Sequence, residues 1–441
     1  MDRPIARILD LVDPLGQRLG NASVDEGRRR LLADDPAAVL SLEGSFALVA
    51  QEGERVCLAR SLDRPLRYFL AKDAKGPALV VAERIDEIQR ALEAEGWGGQ
   101  FHPTYTRMVP AHHVTTLRLI GCPDPNPVYR RFLDPPRGVL PPDLDRIGDA
   151  YVGALYQEVQ RWLRRQDARA PIGVAFSGGL DSGAVLLCLY RALLESGQSP
   201  SRLKAFTLAV GREGKDAAQA REFLRRVDLE ILGETVEVDP DEVSALEAVA
   251  VIEDYKPLDV QCAAVALALA RGIRLRHPEW RLVVDGDGGD ENLKDYPIEE
   301  NAELTIRSVV NNLMLYQEGW GCESLKHSLV FSGGYSRACV RTYASLRHHG
   351  FVGFSPFTCP PVVASAEAIP FARLADGQTE RLYALKGEIM SRGIRSVLGI
   401  DMPVFPKRRF QHGAAAPETV GHLYAPTEGT YRARFLAHYQ A

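Results

Sequence analysis

The sequence predicts a larger α/β domain built on a doubly wound parallel sheet with helical additions toward its C-terminus, preceded by a smaller β-rich domain. Three observations lead there. The length of 441 residues exceeds what one hydrophobic core usually organises. From about residue 170 to 285, short apolar runs alternate with helical periodicities, the pattern of parallel strands joined by crossover helices. The first 120 residues instead string short β-like runs together between polar or glycine-bearing turns.

In chain order, the N-terminal part predicts strands at 45–50, 56–59, 67–70 and 78–82, with helices around 24–33 and 84–95. Prolines then recur at 125, 127, 135, 136 and 141, and such a run can neither continue a helix nor sit in a central strand. The expected organisation is therefore a β-rich domain over 1–122, a proline-rich linker over 123–145 and an α/β domain over 146–441. Residues 145–165 place Ile147, Tyr151, Leu155, Val159 and Leu163 close to one helical face. Strands follow at 172–176, 205–210, 235–238 and 281–285, and helices at 183–196, 217–226, 243–253 and 262–274. Open parallel sheets bind ligands outside the carboxyl ends of their strands, so chemistry is expected just after residues 176, 210 and 285.

Composition excludes some functions. A formal charge of −5 with 25 % charged residues offers no basic excess to neutralise phosphate backbones, which argues against nucleic acid as the main partner. Seven scattered cysteines with no C-x-x-C pair suit a reducing compartment better than a disulfide framework, and no apolar run approaches the ~20 residues of a membrane span. A cytoplasmic protein is expected. No histidine and cysteine set has zinc spacing.

The strongest chemical signal is Phe176-Ser177-Gly178-Gly179-Leu180-Asp181-Ser182, which leaves an apolar strand and enters a helix. Adjacent glycines let the backbone turn tightly and aim N–H groups at an anion, and the helix N-terminus behind them adds positive partial charge. Ser177 and Ser182 supply hydroxyl donors, while Asp181 suits such a site only if it holds a cation such as Mg²⁺. The same residues would also serve a plain strand-to-helix turn. There is no Walker lysine after the second glycine, and the pattern is not the dinucleotide G-x-G-x-x-G. It resembles the S-G-G-x-D-S loop of the N-type ATP pyrophosphatases, the PP-loop superfamily of adenine nucleotide hydrolase-like fold. That resemblance implies a loop holding the pyrophosphate of ATP, with AMP and pyrophosphate as products.

A second cluster, Asp285-Gly286-Asp287-Gly288-Gly289-Asp290-Glu291, gathers four carboxylates in seven residues after another apolar strand, a costly arrangement unless a cation is shared. Read from Gly286, it is similar to the G-E-G-S-D-E motif of the asparagine synthetase and β-lactam synthetase family. The resemblance implies Asp290 as a second Mg²⁺ ligand beside Asp181, with Asp285 and Gly286 at the nucleotide. Asp287 falls where that family acts on the reacting acyl-adenylate, and a carboxylate there could accept a proton from an attacking amine. Lys407, in Phe405-Pro406-Lys407-Arg408-Arg409-Phe410, resembles the family's late K-x-x-F lysine over the α-phosphate. Lys386 resembles its pyrophosphate-contacting helix lysine, and Leu208 aligns with the apolar residue covering adenine, although it suits a strand core equally well.

Toward the N-terminus, Leu42-Glu43-Gly44-Ser45-Phe46-Ala47-Leu48 and Arg60-Ser61-Leu62-Asp63-Arg64-Pro65-Leu66 resemble segments well inside the family's glutaminase domain, so its front is expected to be absent or shortened. The family's glutaminase uses a cysteine exposed directly after Met removal; here Asp2 follows Met1 and Cys57 lies in a strand-like run, so no glutaminase activity is expected. In 350–357, Val352 and Phe354 stand where the family carries Glu and Arg, which removes partners that β-lactam ring closure requires. The resemblance thus implies an ATP- and Mg²⁺-dependent ligase joining a small-molecule or peptide carboxylate to ammonia or an amine. The alternatives are an intramolecular amide or lactam synthetase and a non-catalytic nucleotide-binding subunit. A sulfur- or tRNA-modifying relative would call for catalytic cysteines or a basic RNA face, and neither is evident. A second copy of the chain and a separate ammonia-supplying subunit stay open as partners.

Overall fold

The computed structural model describes residues 3–33, 35–120, 127–211, 215–295, 298–300, 305–311, 342–406, 413–424 and 427–440. They divide into two compact units, one comprising residues up to Asp134 with 433–440, the other the described residues from Pro135 to Arg432.

In the first unit, two four-stranded sheets face each other. One is antiparallel, ordered Val128–Arg131, His113–Leu117, Arg55–Arg60 and Ala47–Glu52. The other is ordered Arg7–Asp10, Gly76–Ala82, Arg67–Asp73 and Arg107–Met108, with only the first pair parallel. Alternation sets the layers. Val49, Val56, Leu58 and Leu117 meet Tyr68, Leu79 and Val81 between the sheets. Residues of opposite parity, Phe69, Ala71, Ala78 and Val80, pack under Ile88 and Leu92 of the helix Ile85–Ala94. The helix Val24–Leu32, capped by Ser23, lies on the other sheet, close enough that a side chain at Gly27 would meet Leu48. The proline-rich segment is not linker throughout: Val128–Arg131 is an edge strand, and Pro127 falls just before it, where a missing N–H breaks no ladder bond.

The second unit holds a five-stranded sheet of β1 (Ile172–Ala175), β2 (Leu203–Val210), β3 (Gly233–Val238), β4 (Leu282–Val284) and β5 (Val352–Phe354). Its order is β3-β2-β1-β4-β5 and every neighbouring pair is parallel. Its helices include α1 (Leu144–Arg164), α2 (Leu180–Glu195), α3 (Lys215–Arg226), α4 (Ala245–Ile252), α5 (Pro257–Arg276), the single turn α6 (Gly289–Asn292), α7 (Pro360–Glu367) and α8 (Thr379–Leu398). One core gathers Tyr151 and Leu155 of α1, Leu186 and Leu189 of α2, Phe223 of α3, and Leu385 and Ile389 of α8 over one sheet face. α5 covers the other face, its Gly272 so close to Val236 that a Cβ would overlap it. It begins at Pro257, ahead of the predicted 262, because proline is well suited to a first helical position. The chain leaves β1 for β2 and β3 on one side, then returns through α4 and α5 to β4 on the other side of β1. The sheet's switch point therefore lies between the carboxyl ends of β1 and β4.

Candidate functional site at the sheet switch point

The two loops singled out in the sequence meet at this point. Residues 177–182 leave β1 and lead into α2, with Gly178 at φ +73°, a conformation natural to glycine. A Cβ there would also lie 2.7 Å from the backbone of Ala220, so the turn needs glycine twice over. Ser177 N–H donates to Ser182 Oγ at 3.3 Å and Gly179 N–H to Ser177 Oγ at 3.3 Å, drawing both hydroxyls inside the turn at the head of α2. Phe176 turns its ring into the core, edge-on to Phe223 at 5.4 Å, and its N–H donates to Phe206 O at 2.8 Å.

The acidic loop leaves β4. Asp285 is buried, accepts a hydrogen bond from Ser355 Oγ at 2.5 Å and another from Asp287 N–H at 3.0 Å, and so ties the loop to the residue after β5. Contact between the two loops is made by glycine backbone, Gly286 against the Asp181–Ser182 main chain and Gly289 against the Asp181 side chain. A Cβ on Gly286 would lie 2.8 Å from Ser182 N, and one on Gly289 would lie 2.2 Å from Asp181 Oδ1. Asp290 sits in α6, whose following residue but one, Asn292, donates to Phe357 O at 2.9 Å and Tyr151 Oη at 3.3 Å. Burial pushes the Tyr151 phenol above its ordinary range. Asp287 is half-buried.

Lys386 comes up from α8 beneath both loops. Its buried ammonium donates to Asp181 Oδ2 at 2.6 Å and to Asp290 Oδ1, with Asp295 Oδ2 at 3.6 Å. Burial alone would push this amine down, but the carboxylates of Asp181, Asp290 and Asp295 outweigh it and hold Lys386 well above the ordinary lysine value. Of the predicted site residues, the structure thus brings together Ser177, Gly178, Gly179, Asp181, Ser182, Asp285, Gly286, Asp287, Asp290 and Lys386. Leu208 is buried in β2, opposite Val236 of β3. Lys407 lies outside the described residues, as do 331–336, His327 and His412.

Sequence reading missed Asp295 and the buried ion pair of Lys294 with Glu367 at 3.0 Å, which joins the chain after α6 to α7. Asp295 merely extends the acidic run by a few residues, a signal that was available. Phe354 stacks on Trp162 of α1 with ring centres 4.9 Å apart.

The donors suit a magnesium ion. Asp181 and Asp290 bring carboxylate oxygens from separate loops to one place, and oxygen ligands are what Mg²⁺ takes. Among the described residues no group of three or more His, Cys, Asp or Glu could hold a metal alone, so phosphate oxygens or water would complete the shell. Also among the described residues, no helix is long and apolar enough to cross a membrane.

Parallel-sheet topology, the glycine-serine turn at the switch point and the acidic loop facing it define an α/β fold of the PP-loop type. Residues 154–333 match the family model described as asparagine synthase. The family uses ATP and acts on a carboxylate with ammonia or an amine, so the match supports an ATP-dependent amidotransferase or ligase activity. No curated protein matches the chain.

Proposed function

We propose that the protein is an ATP- and magnesium-dependent carboxylate–amine ligase that adenylates its acid, releases pyrophosphate, and passes the acyl group to ammonia or an amine with release of AMP. The observation that carries this reading is the meeting of 177–182 with 285–290 at the switch point, Gly286 and Gly289 against Asp181 and Ser182, with Lys386 hydrogen-bonded to both loops. Ser177, Ser182 and the N–H groups at the head of α2 would receive phosphate oxygens. Asp181 and Asp290 would hold the magnesium ion, whose chemistry is to neutralise and orient the phosphates. Asp287, half-buried in the same loop, would accept the proton of the attacking amine. Lys407 would stabilise charge on the acyl phosphate, a role that rests on the resemblance of its segment. Holding both reactants in one cleft is worth about 7–11 kcal/mol, so few catalytic groups are required.

Free ammonia or an amine, rather than glutamine hydrolysed by this chain, is the nitrogen source in this reading. Cys57 is the cysteine among the first unit's described residues. It is buried within a sheet, 3.7 Å from Thr116 Oγ1, and not presented as a nucleophile. In this reading residues 1–122, together with the edge strand Val128–Arg131, form a degenerate glutaminase-like scaffold. Cytoplasmic location belongs to the same reading, and the buried thiols Cys57, Cys188 and Cys262 suit a reducing compartment.

Pyrophosphate release across a panel of carboxylic acids, with and without amine, tests the proposal. AMP and pyrophosphate are expected in equal amounts, and ADP with inorganic phosphate as the sole products would sink it. Steady conversion of glutamine to glutamate by the isolated chain would overturn the assignment of nitrogen source.

A further inference from the structure

Two carboxylates drawn from different loops do not rest side by side without a cation. Asp181 opens α2 and Asp290 lies in α6, yet Gly289 lets the loops approach until a single Cβ would overlap the Asp181 carboxylate. In the ligand-free protein the cation between them is the Lys386 ammonium. The three residues differ in access. The Lys386 side chain is 4 % exposed and approaches from the core, whereas those of Asp181 and Asp290 are 20 % and 39 % exposed and keep an outer side open to solvent. A third carboxylate, Asp295, stands 3.6 Å from the same ammonium and is 11 % exposed, a second partner toward which the flexible lysine stem can turn without leaving the core.

We propose that Lys386 is the protein's own counter-cation for the Asp181 and Asp290 pair. It holds the two loops together before nucleotide arrives, gives up the pair to a divalent cation when one binds, and falls back on Asp295. The inference rests on the ligase reading for the purpose of that divalent cation, but the antagonism between ammonium and metal is a property of the nucleotide-free protein. Its consequence is that the metal binds poorly alone and is taken up with nucleotide, whose phosphates supply the oxygens that Asp295, engaged by the displaced ammonium, does not donate.

The test is the affinity of the full chain for Mn²⁺ without nucleotide, read from the electron paramagnetic resonance signal of free Mn²⁺. Lys386→Met is expected to bind Mn²⁺ at least about tenfold more tightly than the unaltered protein, since a unit charge a few ångströms away no longer competes. Lys386→Arg keeps the charge and should show no gain, and Lys386→Met combined with Asp290→Asn should lose the gain, locating it at this pair. Lys386→Gln serves as the second neutral variant, with thermal melts confirming that each protein is folded. Equal or weaker Mn²⁺ binding in folded Lys386→Met and Lys386→Gln overturns the proposal, as does a gain that survives Asp290→Asn. If the unaltered protein binds Mn²⁺ together with ATP while the neutral variants show no gain, only the counter-cation role falls. If it binds neither ATP nor Mn²⁺ with ATP, the ligase reading falls with it.

Discussion

Gly393→Ala should damage the site from a distance, and the reason lies in how α8 crosses α1. Gly393 and Gly148 touch where the helices meet. A Cβ on Gly393 would lie 2.4 Å from Gly148 O and 2.5 Å from Val152 Cγ2, in each case backbone or a stiff β-branched side chain. Restoring ordinary contact requires α8 to retreat by about 1 Å, and overpacking of this kind costs ~1–3 kcal/mol. Lys386 lies two turns earlier on nearly the same face of α8, so the retreat carries its ammonium away from Asp181, now 2.6 Å distant. A misplacement of about 1 Å in a catalytic site can cost ~10²-fold in rate. The assays are a thermal melt and acid-dependent exchange of labelled pyrophosphate into ATP. We expect a lowered Tm and exchange reduced by roughly 10²-fold. Gly153→Ala is the control, because a Cβ there meets nothing within 4 Å on the same helix α1; it should be neutral or stabilising by up to about 1 kcal/mol. A Gly393→Ala protein with normal Tm and exchange would refute the packing argument. A lowered Tm with unchanged exchange would refute the link from helix crossing to Lys386.

Asp181→Asn and Asp290→Asn should each abolish pyrophosphate exchange, whereas Asp287→Asn should retain exchange and lose amide formation by roughly 10²–10⁴-fold. Equal loss of exchange in all three would make Asp287 a metal or folding residue. Burial, then the neighbouring His113 and the positive charges of Arg60 and Arg131, pushes His112 down to about 3, and burial pushes His113 down to about 4, from an ordinary 6.5. Both are neutral when folded and charge on unfolding below pH 6.5. Stability should therefore be full above that value and fall by about 1.4 kcal/mol per pH unit per histidine as pH drops toward 4. Urea melts from pH 7 to 4 check this, and His112→Asn, which tolerates the φ of +60°, should shallow the slope. Lys294→Met should destabilise by about 3–5 kcal/mol by taking the opposite charge from buried Glu367, and Lys294→Met with Glu367→Leu should recover most of it. A double variant no more stable than the single one in denaturant titration would contradict that account.

Much of this protein is written locally. The run Ile172-Gly173-Val174-Ala175 followed by two glycines, an aspartate and a helical pattern specifies strand, tight turn and helix within a dozen residues. β1 and α2 accordingly stand where periodicity predicted them, as does the long helix α1 with its face of Ile147, Tyr151, Leu155 and Val159. The acidic run after β4 was equally legible, because clustered carboxylates betray a shared cation whatever the fold. Short or edge elements were not: Val352–Phe354 and Val128–Arg131 are three and four residues long and draw their stability from a neighbouring strand. What only the tertiary structure decided is which cation the acidic loops share and how closely they approach. Lys386 lies 205 residues from Asp181 in the chain; its segment resembles the family's helix lysine, but the periodicity of α8 alone does not tell a buried lysine from an exposed one. Its place is set by the crossing at Gly148 and Gly393 and by the loop contacts at Gly286 and Gly289, where the absence of a side chain matters only once another backbone is brought against it. Local sequence encodes dihedral preference and the sidedness of an element. The meeting of two charges distant in the chain depends on the packing of every element between them.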